Sequence, residues 1–183
     1  MEFKILTEND IHENLLDDFN RYQETTLVYR DEKIIEDHFI DNWTLEDKRN
    51  RAISLKETVK NGGIVVGVFE NNKLIGFGKI PNKCFAKDYL ELDSFHITKE
   101  YRNKGIGKKL FYLLAKLAKE KGAKKLYIGA HPSVETQSFY RKIGCFPSKE
   151  IIREIYEREP LDIQLEFDLS NLNKFFNCGI IEL

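Results

Sequence analysis

The side chains best able to do chemistry stand in three places. Residues 102–109 read Arg-Asn-Lys-Gly-Ile-Gly-Lys-Lys; Glu91 and Asp93 lie shortly before them; Tyr140 follows Phe139 in Phe-Tyr-Arg-Lys-Ile-Gly. The first group suits an anion. A helix start leaves backbone N–H groups unpartnered and carries the positive end of the peptide dipoles. Gly105 and Gly107 remove side chains that would hold an anion away from that backbone. Arg102, Lys104, Lys108 and Lys109 add full charges, and the simplest ligand is a pyrophosphate. Two familiar pyrophosphate loops do not fit. The nucleotide-hydrolase loop needs Gly and Ser or Thr where this chain has Arg102 and Lys109. The dinucleotide fingerprint needs a third Gly at Leu110 and an acid at the end of the next strand, where Gly129-Ala130-His131 stands.

These residues need elements to position them. Residues 89–98 read as a strand, with Glu91, Asp93, Phe95 and Ile97 on one face and Leu90, Leu92, Ser94 and His96 on the other. Carboxylates inside a central strand are costly unless paired or useful, so Glu91 and Asp93 are the acids to examine. After the Gly-rich turn, Ile106, Leu110, Leu113, Leu114 and Leu117 recur at helical spacing. A strand at 125–130 follows, then Pro132-Ser133 as a helix entrance and a short helix that ends at Gly144. Upstream, residues 64–70 and 73–80 read as a hairpin turned by Asn71-Asn72. Residues 3–6 read as a short strand, and the next fifty as charged helix, with Leu15, Leu16 and Phe19 as one apolar face, Ile34, Ile35, Phe39, Ile40 and Trp43 as another, and Ile53, Leu55 and Val59 as a third. Residues 149–158 and 162–169 read as the last two strands.

The loop 102–107 matches the Arg/Gln-x-x-Gly-x-Gly/Ala pattern that binds coenzyme A, and the Phe-Tyr-x-x-x-Gly helix ending is a second hallmark in the right order. The chain thereby resembles the GNAT family of acetyltransferases over about half its length, residues 74–146. The resemblance implies an α/β (α+β) GNAT fold, a mixed central sheet of about six to seven strands flanked by helices. It implies direct acetyl transfer from acetyl-CoA to the primary amine of a small molecule or peptide. The phenol of Tyr140 would protonate the departing thiolate, to which its pKa of about 10 is well matched. Glu91, eleven residues before Arg102 as in histone-type relatives, would be the general base, with Asp93 as runner-up and His96 and His131 as weaker candidates. Backbone N–H groups near Phe95, His96 and Ile97 would hold the acetyl carbonyl oxygen, at a splay between this strand and the next. Arg102, Asn103, Lys104, Gly105, Ile106, Gly107 and Lys108 would cradle the pyrophosphate. Ser133 stands where many relatives carry a cofactor-contacting Asn. Tyr22, Tyr29, His38 and Trp43 fall on the family's acceptor wall, although an aromatic at helical spacing ordinarily packs in the core.

Composition bounds the remainder. The 183 residues suit one domain, 1–183. With 29 basic and 30 acidic residues there is no global field for nucleic acid or a membrane surface. No apolar run approaches a membrane span and the N-terminus is acidic, so a cytoplasmic protein is expected. Cys84, Cys145 and Cys178 have no metal-like spacing and suit reduced, packed thiols. Dimers are common in the family, and the apolar tail 170–183 suits packing on the domain or on a second subunit. A non-catalytic acyl-CoA-binding module that signals to a protein partner is the alternative to an enzyme.

Overall fold

The computed structural model describes residues 1–83 and 88–173; Cys84, Cys178 and most of the apolar tail lie outside the described residues. Strands β1 (Glu2–Ile5), β2 (Gln23–Arg30) and β3 (Lys33–Asp41) precede helix α1 (Leu45–Lys60). Then come β4 (Ile64–Glu70), β5 (Lys73–Ile80), β6 (Tyr89–Glu91), β7 (Ser94–Ile97) and α2 (Ile106–Glu120). The chain continues through β8 (Lys125–Ala130), α3 (Val134–Lys142), β9 (Phe146–Pro147), α4 (Arg153–Tyr156) and β10 (Ile163–Asp168). Among the described residues no helix is long and apolar enough to cross a membrane.

The expected strand at 89–98 is interrupted. Its first part, β6, pairs parallel with β8 in a sheet of order β6-β8-β10-β9; its second part, β7, pairs antiparallel with β5 in a sheet of order β1-β4-β5-β7. The exchange occurs over two residues: Leu92 N–H donates to Tyr127 O at 2.8 Å, and Asp93 N–H to Lys79 O at 3.2 Å. Beyond that point, among the described residues, β7 has a strand partner on one edge alone. The two sheets therefore share one interrupted strand, which opens the splay anticipated from the resemblance.

Helix α2 closes the core. Its Ile106, Leu110 and Leu114 are buried, as their spacing requires, and Phe111, Tyr112, Ala115 and Ala118 widen the stripe. Gly78 lies opposite Phe95 in the β5–β7 ladder, and a Cβ there would meet Leu114 Cδ1 at 2.4 Å, so this glycine lets α2 press onto the sheet. The expected Asn71-Asn72 turn is present, with φ of 50° and 60°. Helix α1 begins at a capping box in which Thr44 Oγ1 accepts from Asp47 N–H and Asp47 Oδ2 accepts from Thr44 N–H.

Two expectations are corrected. Residues 23–41 form a β-hairpin, not helix, turned by Asp31 and Glu32 with φ of 48° and 61°. Ile34, Ile35 and Ile40 are exposed on β3; their helical spacing is coincidental, and the β-branched pairs across the hairpin decide the conformation. The hairpin docks through Tyr29 N–H on Pro132 O at 2.9 Å and through the fully buried Val28. Residues 149–158 are likewise not a strand. Phe146–Pro147 pair with β10 on the edge away from β8, and the following stretch turns into α4, where Arg153 and Glu157 bridge at the i,i+4 spacing of a helix.

Candidate functional site

The turn into α2 is built for close approach. Gly105, at φ 79°, caps the helix in a left-handed conformation, and a Cβ on it would point into open space with nothing within 4 Å. Lys109 N–H is the first to bond within the helix, to Gly105 O at 3.3 Å, which leaves the N–H groups of Ile106, Gly107 and Lys108 as unpaired helix-start donors. Gly107 has another role than expected. A Cβ there would lie 3.3 Å from the Phe139 ring, so its absence lets α3 pack against α2.

Arg102 also differs from expectation. Nε donates to Ile97 O at 3.0 Å, Nη1 to Tyr22 O at 2.9 Å and Nη2 to Arg21 O at 3.0 Å. Its guanidinium therefore ties residues 21–22 to the end of β7 and does not stand free to meet an anion. Lys104 lies over the Tyr101 ring, and Ile106 is core. Ser133 is 2% exposed and caps α3, bonding Thr136, so its hydroxyl serves the helix.

A cavity of about 460 Å³ opens between β7, this turn and α3. Phe95, Ile97, Gly105, Gly107, Phe139 and Tyr140 supply much of its wall, with His96, Arg102, Asn103 and Lys108 also lining it. Tyr140 is 6% exposed and packed among Phe95, Phe111 and Phe139; burial pushes its phenol far above the ordinary value, so it stays protonated. His96 meets the edge of Trp43 at 4.8 Å, and burial with nearby Arg21, Arg51 and Arg102 keeps it neutral. Cys145 is a buried free thiol raised well above its usual value by burial, as suits a packing residue.

Glu91 and Asp93 open elsewhere. They line a second cavity of about 250 Å³ with Gly129, Arg158, Asp162 and Gln164, and it shares no lining residue with the first. Glu91 is 3% exposed and bonded by Arg158; Asp93 pairs with Lys79 at 2.7 Å and Arg158 at 3.4 Å. Burial, then the Asp93 charge, pushes Glu91 up to about 7 despite Arg158. The structure thus brings Tyr140 to the glycine turn and sets the two acids on the other side of the strand exchange. Asp162, pushed up to about 8 by burial and then by its hydrogen bond with Glu159, was missed in sequence. The acids flanking Pro160 in Glu-Pro-Leu-Asp were the available signal, masked because Glu159 fell in an expected strand connection and Asp162 at the start of an expected strand.

The remaining candidates scatter. His131 Nδ1 accepts from Ser133 N–H, and its Nε2 lies 3.5 Å from Asp41. Trp43 packs between Phe19 and His96, whereas His38 pairs with Glu24 on the exposed hairpin. Tyr22 lies under Lys99 and Tyr29 under Arg141.

Residues 12–145 match the family model described as acetyltransferase (GNAT) family. No curated protein matches the sequence. Nourseothricin acetyltransferase superposes with a TM-score of 0.65 at 13% identity, over 92% of this chain and 98% of that one. The PaiA N-acetyltransferase of Thermoplasma acidophilum, in complex with coenzyme A, gives 0.59 at 18% identity, over 92% and 99%. An aminoglycoside 6'-N-acetyltransferase complexed with coenzyme A gives 0.62 at 14%, over 92% and 97%. At such identities the likeness is one of fold.

Proposed function

Because the chain belongs to the GNAT acetyltransferase family, we propose that it transfers the acetyl group of acetyl-CoA directly to the primary amine of a small molecule or peptide. The observation that carries this reading is the strand exchange at Leu92 and Asp93, with a cavity of about 460 Å³ reaching Tyr140 and a separate one holding a buried carboxylate raised to about 7. The residues present fit the cofactor: Gly105 leaves open the space that a Cβ would take, and unpaired N–H groups face a cavity lined by Lys108.

Acetyl-CoA supplies an activated acyl carbon as a thioester. The N–H groups of Ile106, Gly107 and Lys108 would hold the pyrophosphate, and Phe95, Ile97 and Phe139 would offer apolar wall to its arm. Backbone N–H on the edge of β7 away from β5 would polarise the acetyl carbonyl. Glu91, poised near neutral pH, accepts the amine proton through water, and Tyr140 returns a proton to the departing sulfur. Burial raises the carboxylate toward neutral pH, and it keeps the phenol in its donor form while making it a weaker acid than the free side chain, so the match to the thiolate expected from its ordinary pKa is not kept.

The test is release of coenzyme A thiol from acetyl-CoA by the purified chain across a panel of primary amines, beside calorimetric binding of acetyl-CoA. Amine-dependent release is expected. Tight binding without release from any amine would instead make the chain a non-catalytic acyl-CoA-binding module.

A further inference from the structure

The second cavity has more carboxyl groups than cations to meet them. Glu91 and Asp93 share Arg158 and Lys79, whereas Glu159 and Asp162, also in its wall, form no ion pair among the described residues. They lie against each other instead.

Among the described residues, two further acceptors in the same wall lack donors. Glu91 Oε2 and Gln164 Oε1 are buried without a hydrogen-bond partner, on side chains that are 3% and 6% exposed. Gln164 has its amide oriented by the Nε2–H donated to Asp162 O at 3.0 Å, which commits the oxygen as the acceptor. Buried acceptors without donors are costly, so their repetition around one hollow indicates a missing donor-rich group. Among the described residues no group of three or more His, Cys, Asp or Glu is arranged to hold a metal ion. An organic cation, which brings several N–H donors on a larger body, suits this wall better.

Resting on the acyl-transfer reading, we infer that the acceptor carries a second cationic nitrogen besides the amine that reacts, and that Glu159, Asp162 and Gln164 form its seat. An ammonium has three donors and a full charge, enough to meet Gln164 Oε1 and the Glu159–Asp162 pair together. The elevated position of Asp162 agrees, since burial and its acidic neighbours Glu159 and Asp41 outweigh the charge of Arg30. The reacting amine is then left to Glu91, which lines the same cavity. Substrate choice would follow the spacing of the two nitrogens, because one ligand must span from the seat to the strand exchange.

The experiment compares α,ω-diamines of three to eight carbons with n-alkylamines of equal length on the full chain, reading calorimetric affinity and thiol release in parallel. At one favoured length the diamine should bind at least tenfold more tightly than its monoamine. Asp162→Asn and Gln164→Leu, checked for unchanged melting, should each reduce that ratio about tenfold, whereas exposed Glu150→Gln should leave it alone. Equal affinity for both series, or a ratio unmoved by both seat variants, would overturn the seat even if every amine is acetylated. A diamine preference lost in the seat variants, without thiol release from any amine, would uphold the seat and overturn the acyl-transfer reading.

Discussion

Replacing Gly105 by Ala separates the proposed cradle from ordinary loop strain. The residue sits at φ 79°, where an L side chain costs about 1–2 kcal/mol, but a Cβ there would meet nothing within 4 Å in the free protein. The expected loss of stability is therefore about 1 kcal/mol, a melting shift of about 2–4 °C for a chain of this size. The methyl enters the space assigned to the pyrophosphate, so acetyl-CoA affinity should fall at least tenfold, about 1.4 kcal/mol or more. Gly107→Ala is the control. Its Cβ would press on Phe139 at 3.3 Å, while the substitution gains up to about 1 kcal/mol of helix propensity, so stability should change little. Its affinity should suffer less than that of Gly105→Ala, because the clash lies toward α3. Thermal melting and calorimetric titration of both variants decide the matter. Unchanged affinity in Gly105→Ala, with the small melting shift present, would refute the use of this turn as a phosphate cradle.

Tyr140→Phe should lower turnover about a hundredfold while changing acetyl-CoA affinity less than twofold; steady-state kinetics beside titration would show it, and equal turnover would remove the assigned acid. With Glu91 up to about 7, turnover should rise with pH through about 7 as the base ionises, and Glu91→Gln should abolish that limb in a pH–rate profile. The stability sign is the reverse. The folded chain holds the Glu91 proton more tightly than the unfolded one, so its contribution falls as pH rises from about 4.5 to 7, and the Gln variant should lose that slope in urea titrations. Glu32→Gly should stabilise the β2–β3 hairpin by about 0.5–1 kcal/mol, since Glu32 sits at φ 61° in a turn that favours Asp-Gly; an unchanged denaturation midpoint would count against the turn geometry.

Local pattern determined what depends on neighbours in the chain. The stripe from Ile106 to Leu114 and the glycine at a helix start specify α2 and its cap, because helical periodicity and a left-handed cap are properties of consecutive residues. Asn71-Asn72 specified its hairpin for the same reason, since Asn tolerates positive φ. Asp31-Glu32 carries no such signal, and Ile34, Ile35, Phe39 and Ile40 fit a helix as well as a strand until Val28 docks on the loop before α3. Tertiary structure alone decided the exchange at Leu92 and Asp93, because uninterrupted strand propensity cannot show that the partner changes from β8 to β5. It also turned Arg102 from a ligand for anions into a tie for backbone carbonyls, since which acceptors stand within 3 Å depends on residues some eighty positions away. Asp162 joined the acids for a like reason: burial next to Glu159, opposite a strand seventy residues earlier, is a property of packing and not of the sequence around it.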